Sequence, residues 1–439
     1  MPAASARRRA LILFLAIELM LALLSVRYIY GVISPGMTPI RSDGTSYQAY
    51  LPATIIYHDL SFTRYARREF GGTIPDWVGI FHFPETGGYL NKYGVGTALL
   101  QAPFFVAADW GCRWSHCRRT GTSAPYQMAN LVSSIFYLCL GSLLVVLSLT
   151  PLFGIRPAIF STALMVFGTS AFHYATFDGS FSHIYSFAAV ALYLWAAMSY
   201  SRFPNVGWAA AAGASLGLIA LVRAPNLFVG LLMAGAWLSL PRDQRFDRSR
   251  LYEATAFFVA AATVFLPQLL YWKYATGHLL VYPYIGEGFS FFHPEIGNFL
   301  FSVSKGLFFW SPVSLIAVLG FLSFHDKPKA LWAALAACIA LQVYICASWY
   351  QWWFGGGFGS RPFVDLAPLL AVGLAGALTA IRNRTGSAAL NLLMIPLAAW
   401  TVVLMGAYWL NFVPFDHATW TDIAALPSKY VHYLSGQKA

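Results

Sequence analysis

The sequence predicts an all-α polytopic integral membrane protein of about eleven spans, forming a single domain over residues 1–439. Apolar residues make up 58% of the chain and charged residues only 10%, whereas a soluble domain is about a quarter charged. Aromatic residues reach 17%, with 15 Trp, and such rings gather at membrane interfaces. Mean hydropathy is +0.59, which excludes an ordinary soluble domain.

The first predicted span is the apolar run from Ala10 to about Tyr30, which follows Arg7, Arg8 and Arg9. The run is longer than the apolar core of a typical signal peptide, and no small-residue cleavage site follows it. We therefore interpret it as a retained span with the arginines in the cytoplasm. Glu18 lies inside this span, where an acid either pairs within the bundle or has a function.

The remaining spans follow from apolar runs near the length needed to cross the hydrocarbon. The positive-inside rule assigns the brief basic connections Pro241–Arg250, His325–Lys329 and Arg382–Arg384 to the cytoplasm. The net charge of +11 is thus explained by topology and anionic lipid headgroups, without nucleic acid. The predicted spans cover residues 126–150, 157–176, 182–201, 207–223, 225–240, 251–274, 300–321, 329–347, 362–381 and 388–412.

One apolar segment, Tyr93–Trp110, does not fit this topology as a span. If it crossed, parity would place the arginine-rich Pro241–Arg250 segment outside. Gly94 and Pro103 favour a short, broken element, so we predict a membrane-surface helix. This helix belongs to a long first extracytoplasmic loop over residues 31–125.

Cysteines constrain the chain only in this loop, where Cys112 and Cys117 are close in sequence. An oxidising compartment would permit a disulfide between them. A metal pair is the other reading, although no second ligand pair accompanies it. The sequence leaves the choice open.

Acids at the predicted outer ends of the spans are candidates for catalysis. Asp43 follows the first span within Arg41-Ser42-Asp43-Gly44-Thr45, as an Asx turn or as a general base for an acceptor. Asp178 is the second catalytic candidate, and His183 is a candidate for substrate binding. Asp43, Asp178 and His183 together would suit a divalent cation such as Mg²⁺ or Mn²⁺, although their spacing is no metal signature.

Cations at the same predicted surface are candidates for binding a phosphate. Lys92 either reaches the headgroup region or binds an anion. Arg223 has no acid beside it in sequence, so an anionic ligand would suit it. Arg361 has the same candidate role, with a helical ion pair to Asp365 as the alternative. Other candidates for substrate binding, including rings able to cover a sugar, are Glu287, Tyr350, Trp352 and Trp353.

With these residues in place, the chain resembles the GT-C superfamily of membrane glycosyltransferases, near the branch of the protein O-mannosyltransferases and lipid A aminoarabinose transferases. The resemblance is best over residues 10–240. Asp43 matches the acid after the first span, Lys92 the basic start of the surface helix, Asp178 an acid between the third and fourth spans, and Arg223 a basic residue before a helix break. Protein O-mannosyltransferases carry a second acid after the first, where this chain has Gly44.

The resemblance implies an inverting transfer of a hexose or pentose from a polyprenyl-phosphate donor to a lipid, glycan or protein acceptor. It also implies a bacterial inner (plasma) membrane location, with the active site facing the periplasm or cell exterior. A transporter or lipid flippase is the alternative, but it would need midplane charges around a central site. Apart from Glu18, the predicted polar groups lie at one face.

Overall fold

Helices dominate the fold, as the sequence predicts. The computed structural model describes residues 2–284, 286–324 and 329–436. Within these residues, seven helices are long and apolar enough to cross a membrane, and three shorter apolar helices accompany them. The all-α polytopic class is therefore confirmed, whereas the count of eleven spans stays a prediction. Of the predicted connection His325–Lys329, all but Lys329 lies outside the described residues.

The elements follow one another in a simple order. The first part of the chain contains α1 (Pro2–Tyr28), α2 (Asp43–Leu51), α3 (Thr63–Phe70), β1 (Ile80–Phe83), β2 (Gly88–Asn91) and α4 (Gly96–Ser115). The central part contains α5 (Ala124–Phe153), α6 (Ile155–Phe167), α7 (Ala171–Thr176), α8 (Ser182–Arg202), α9 (Val206–Arg223), α10 (Leu231–Leu238), α11 (Arg242–Arg245) and α12 (Ser249–Thr276). The last part contains α13 (Ile296–Phe301), α14 (Leu307–Trp310), α15 (Val313–Gly320), α16 (Lys329–Ala347), α17 (Ala367–Trp409), α18 (Trp420–Ala424) and α19 (Leu426–Leu434).

The first loop, residues 31–125, folds into a compact region with its own small core. Strands β1 and β2 pair antiparallel, with Ile80 opposite Asn91 and Phe83 opposite Gly88, and Gly87 supplies the positive φ of +68° in their turn. This core is rich in aromatic rings and combines Tyr50, Phe62, Tyr65 and Phe105 of the loop with Tyr126 of α5 and Tyr271 of α12. The predicted surface helix is α4, whereas the strands were not predicted.

Glycines bring α9 and α12 into close parallel contact. A Cβ atom on Gly213 would lie 2.0 Å from the Phe257 carbonyl oxygen, and one on Gly217 would lie 2.4 Å from that of Ala261. Small residues of this kind let membrane helices approach closely. Because both helices point the same way, the chain between them must return across the bundle through α10. The Pro241–Arg250 segment therefore lies at the opposite end of the bundle from Arg223.

Helix α17 bends back on itself, so that its two ends meet one cluster of side chains. Asp365, just before the helix, contacts His183, and Trp409, its last residue, contacts His173. Both histidine rings pack on Tyr174, each with centroids 5.0 Å apart. A straight helix of 43 residues would extend about 65 Å and separate these contacts. Its two apolar arms, Ala367–Arg382 and Leu392–Trp409, correspond to the two predicted spans.

The N-terminus also lies away from Arg223. Just after α1, the Tyr30 hydroxyl donates a hydrogen bond to the Phe177 carbonyl oxygen at 2.8 Å, at the Arg223 end of the bundle. Arg9 precedes it by about 30 Å of helix. Midway along α1, Glu18 is buried and accepts a hydrogen bond from the Ser142 hydroxyl at 2.6 Å. Of the two alternatives for Glu18, this contact favours pairing within the bundle.

Candidate active site

A cavity of about 930 Å³ opens at the Arg223 end of the bundle. It lies where the start of α2, the end of α9 and the connections around residues 177–183, 281–291 and 349–361 meet. Most of the predicted site residues line it, namely Asp43, Lys92, Asp178, His183, Arg223, Glu287, Tyr350 and Arg361. The cavity thus brings together side chains that are far apart in sequence, because each follows or precedes an apolar helix at the same end of the bundle.

Asp43 stands at the first residue of α2 and faces Arg361. Its Oδ2 lies 3.3 Å from the Arg361 Nη1, and the two side chains are 25% and 16% exposed. Ser42, just before it, has a left-handed φ of 48°, a conformation that is costly for a residue other than glycine. This ion pair is longer than the three others that line the cavity, so the Asp43 carboxylate is the most open to a ligand.

The packing around position 44 explains why a glycine, and not a second acid, follows Asp43. A Cβ atom on Gly44 would lie 1.9 Å from the Ser180 hydroxyl oxygen and 2.4 Å from the Ser180 Cβ. The start of α2 is therefore packed directly onto the loop before α8. A carboxylate at position 44 has no space.

Arg223 is held by the buried carboxylate of Asp365. Its Nε lies 2.7 Å from Asp365 Oδ2, and the Asn226 amide donates to the same oxygen at 2.7 Å. His183 Nδ1 lies 3.0 Å from the other oxygen, Oδ1. The alternative of an Arg361–Asp365 pair is therefore wrong. Residues 361–363 form a 3₁₀ turn, and α17 begins only at Ala367, so no α-helical turn joins positions 361 and 365.

Asp178 is also fully engaged. Its Oδ1 pairs with Arg41 Nη2 at 2.6 Å, and its Oδ2 lies 2.8 Å from His173 Nε2. Burial favours a raised pKa for this carboxyl, but the neighbouring Arg41 charge and the His173 hydrogen bond outweigh it and lower the pKa to about 2. Asp178 is thus a buried anion that supports a cation.

The divalent cation site predicted from Asp43, Asp178 and His183 is not assembled. Arg41 and His173 occupy the oxygens of Asp178, and the Nδ1 of His183 faces Asp365. Across residues 2–284, 286–324 and 329–436, no group of three His, Cys, Asp or Glu side chains is arranged to hold a metal ion. The predicted set of Asp43, Asp178 and His183 therefore does not form a metal site.

Lys92 and Glu287, assigned separately to phosphate and substrate binding, contact each other. Lys92 Nζ lies 2.9 Å from Glu287 Oε1. The ammonium also stands over the Tyr93 and Tyr284 rings, at 5.2 and 5.6 Å from their centroids. This pair closes one side of the cavity with groups from the first loop and from the segment after α12.

Of the three predicted aromatic residues, Tyr350, Trp352 and Trp353, only Tyr350 lines the cavity. Its neighbour Trp349 lines the cavity as well. Trp352 instead packs against the hydrophobic core, and the Trp353 ring packs on His417 with centroids 5.1 Å apart. The cavity also has lining residues that the sequence analysis did not select, including Arg41, Tyr47, Tyr284 and Tyr408. Arg41 could have been selected from the sequence, because it belongs to the same polar stretch as Asp43.

Comparison with known proteins identifies the fold. The sequence matches no family model and none of the curated proteins searched. Among solved structures, the oligosaccharyltransferase of Archaeoglobus fulgidus in the apo form matches with a TM-score of 0.53, at 15% identity over 95% of this chain and 59% of that chain. The same enzyme tethered to an acceptor peptide gives a TM-score of 0.54, at 14% identity over 92% of this chain and 56% of that chain.

This chain thus spans less than two thirds of the length of these matched structures. The similarity extends over nearly all of the present chain and includes the bundle and the first loop. The chain therefore shares the fold of the matched part of the Archaeoglobus fulgidus oligosaccharyltransferase.

Proposed function

We propose that this protein transfers a sugar from a polyprenyl-phosphate carrier to an acceptor at the outer face of the membrane. The observation that carries the proposal is the Asp43 carboxylate, which is 25% exposed at the wall of a cavity that also presents Arg41, Lys92, Arg223 and Arg361. A general base and fixed cations are the groups that such a transfer requires.

The reaction is a single displacement at the anomeric carbon. An acceptor hydroxyl or amine forms a bond to that carbon, and its proton passes to Asp43. The bond between the carbon and the phosphate oxygen breaks, and its electron pair leaves with the polyprenyl phosphate. Negative charge grows on the phosphate during this step, and the fixed cations that bind the phosphate of the donor also stabilise it as it leaves. One displacement inverts the anomeric carbon.

The cavity also offers a surface for a lipid tail. Beside the polar groups, its lining includes apolar side chains of α9 and α12, among them Leu221, Phe265 and Trp272. A solved structure of the archaeal oligosaccharyltransferase, matched at a TM-score of 0.50, contains a dolichol-phosphate. Both points support a lipid-linked donor for this chain.

Two features support an outward-facing cavity. Arg7–Arg9 and the Pro241–Arg250 segment both lie at the opposite end of the bundle from the cavity, and the positive-inside rule favours the cytoplasm for them. Cys112 and Cys117, in the first loop, form a disulfide. Disulfides persist in oxidising compartments such as the periplasm.

The decisive experiment is transfer by the purified protein in nanodiscs, with a labelled polyprenyl-phosphate sugar as donor and a membrane extract as acceptor source. We expect Asp43→Asn to abolish transfer while the protein keeps its melting temperature. Asp76→Asn is the matched control, because Asp76 is an exposed acid of the first loop that starts a short helical turn. Near-normal transfer by Asp43→Asn would contradict the assignment of the base.

A further inference from the structure

Arg41 lines the cavity, and several protein groups hold its guanidinium in place. Nη1 donates to the Thr38 carbonyl oxygen at 3.0 Å. Nη2 donates to the Phe177 carbonyl oxygen at 2.9 Å and contacts Asp178 Oδ1 at 2.6 Å. The guanidinium also lies over the Phe177 ring, 4.7 Å from its centroid. These contacts engage three of the five N–H donors of an arginine, and the Tyr30 hydroxyl is a further polar neighbour. The side chain still lines the cavity and is 24% exposed.

The hydrogen bonds that hold Asp178, the partner of Arg41, define where the proton of His173 lies. The Trp409 indole N–H donates to His173 Nδ1 at 3.0 Å, and an indole can only donate. The His173 proton therefore sits on Nε2, which donates to Asp178 Oδ2 at 2.8 Å. Asp178 accepts on one oxygen from His173 and on the other from Arg41. This chain of contacts fixes the plane of the guanidinium.

Arg223 is held by the same kind of aspartate–histidine pair as Arg41. Each arginine lines the cavity, each pairs with a buried aspartate, and each aspartate contacts a histidine through its second oxygen. The side chains of Asp178 and Asp365 are only 6% and 0% exposed, whereas those of Arg41 and Arg223 are 24% and 17% exposed. The histidines of the two clusters pack on the same ring, that of Tyr174.

We propose that Arg41 binds the phosphate of the lipid-linked donor together with Arg223, and that Asp178 and His173 position its guanidinium. This inference rests on the proposed function, which supplies the phosphate. Two arginines held rigidly at one cavity can share the oxygens of a single phosphate by charge-assisted hydrogen bonds. Asp178 then becomes a positioning residue, in place of the catalytic role predicted from the sequence.

The first test measures binding of a polyprenyl phosphate without sugar to the full-length protein in nanodiscs. We expect Arg41→Ala to weaken binding by about tenfold or more, since a hydrogen bond to a charged group contributes roughly one to two decades of affinity. Arg41→Lys should recover only part of the loss, because an ammonium cannot bind in a bidentate way. Guanidinium ion added to Arg41→Ala should restore part of the transfer activity.

Arg119→Ala is the matched control, because Arg119 pairs with Asp109 in the first loop at 2.8 Å. It should bind polyprenyl phosphate like the wild type, and guanidinium should not affect it. If Arg41→Ala and Arg41→Lys bind normally while Arg223→Ala binds weakly, the role of Arg41 is refuted and the proposed function stands. If Arg41→Ala, Arg223→Ala and Arg361→Ala all bind normally, these arginines do not hold the phosphate, and the assignment of the cavity to the donor is refuted.

The second test separates positioning from catalysis at Asp178. We expect Asp178→Asn to raise the KM for the donor by about tenfold with a smaller change in kcat, because Arg41 remains but is no longer fixed. A catalytic acid or base would show the opposite pattern, with kcat lost and KM unchanged. That pattern would refute the positioning role, even if the Arg41 variants behave as expected.

Discussion

Gly44 shows how one residue can set the position of Asp43, the proposed catalytic base. Its Cα faces the Ser180 side chain so closely that a Cβ atom would lie 1.9 Å from the hydroxyl oxygen. This contact fixes the first turn of α2, and Asp43 is the first residue of that turn. The direction of the Asp43 carboxylate therefore depends on Gly44, a residue without a reactive side chain.

We expect Gly44→Ala to lower transfer by at least about tenfold, because a displacement of around 1 Å at a reacting group has costs of this size or larger. Ser180→Gly removes the atoms that the new methyl group would meet. The double variant Gly44→Ala/Ser180→Gly should therefore recover activity, measured as transfer rate at equal protein concentration. If the double variant is as slow as Gly44→Ala, crowding by Ser180 is not the cause.

Single residues also show what the sequence could predict. Asp43, Arg223 and Arg361 were selected because each lies at the end of an apolar segment, and the cavity does bring them together. Their partners could not be predicted, because pairing depends on contacts between distant segments. The Arg223–Asp365 pair joins residues 142 positions apart along the chain, and only the tertiary fold reveals it.

At the scale of elements, α4 is the helix whose placement decides the topology. Its first turn packs on α9, where a Cβ atom on Gly96 would lie 2.5 Å from Val222 N. Near its other end, Asp109 accepts a hydrogen bond from the Tyr126 hydroxyl at 2.7 Å, at the start of α5. Both contacts lie at the cavity end of the bundle, which supports the prediction that α4 is a membrane-surface helix.

We expect single cysteines on both sides of α4 to react with a membrane-impermeant thiol reagent from outside. Glu85→Cys and Ser115→Cys suit the test, since both positions are exposed, in a background without other cysteines. Asp243→Cys, exposed at the other end of the bundle, should react only after the membrane is opened. Protection of one α4 site together with Asp243→Cys would mean that α4 crosses the membrane.

The elements that were not predicted share a physical cause. The apolar periodicity of α17 indicates two spans, but the sequence cannot show that its ends meet around Tyr174. The strands β1 and β2 are short, and their pairing depends on Gly87 at the turn and on packing within the first loop. Hydropathy reports which segments enter the bilayer and carries no information on packing in a loop of this kind.

At the scale of the whole molecule, the cavity balances its charges. In the part of the chain that the structure describes, Arg41, Lys92, Arg223 and Arg361 line the cavity, and their partners are Asp178, Glu287, Asp365 and Asp43. Four cations and four carboxylates leave these pairs with no net charge. A ligand phosphate must therefore compete with, or add to, ion pairs that already exist.

We expect donor binding to change by less than about threefold when salt is raised from roughly 0.05 to 0.5 M, because a neutral site has little long-range field for salt to screen. Inorganic phosphate should compete poorly with the donor for the cavity across this range of salt concentration. Glu287→Gln unbalances the charges and should make binding salt-dependent. A steep salt dependence in the wild type would show that the field at the cavity is cationic.

Charge balance has a consequence for how the protein finds its substrate. We expect a site without a net field not to gather soluble anions, such as nucleotides and free phosphate, from the surrounding compartment. A carrier confined to the bilayer searches in two dimensions, and its local concentration at the cavity is set by its abundance in the lipid. Under the proposed function, the membrane itself selects the carrier first, before any contact with an arginine is made.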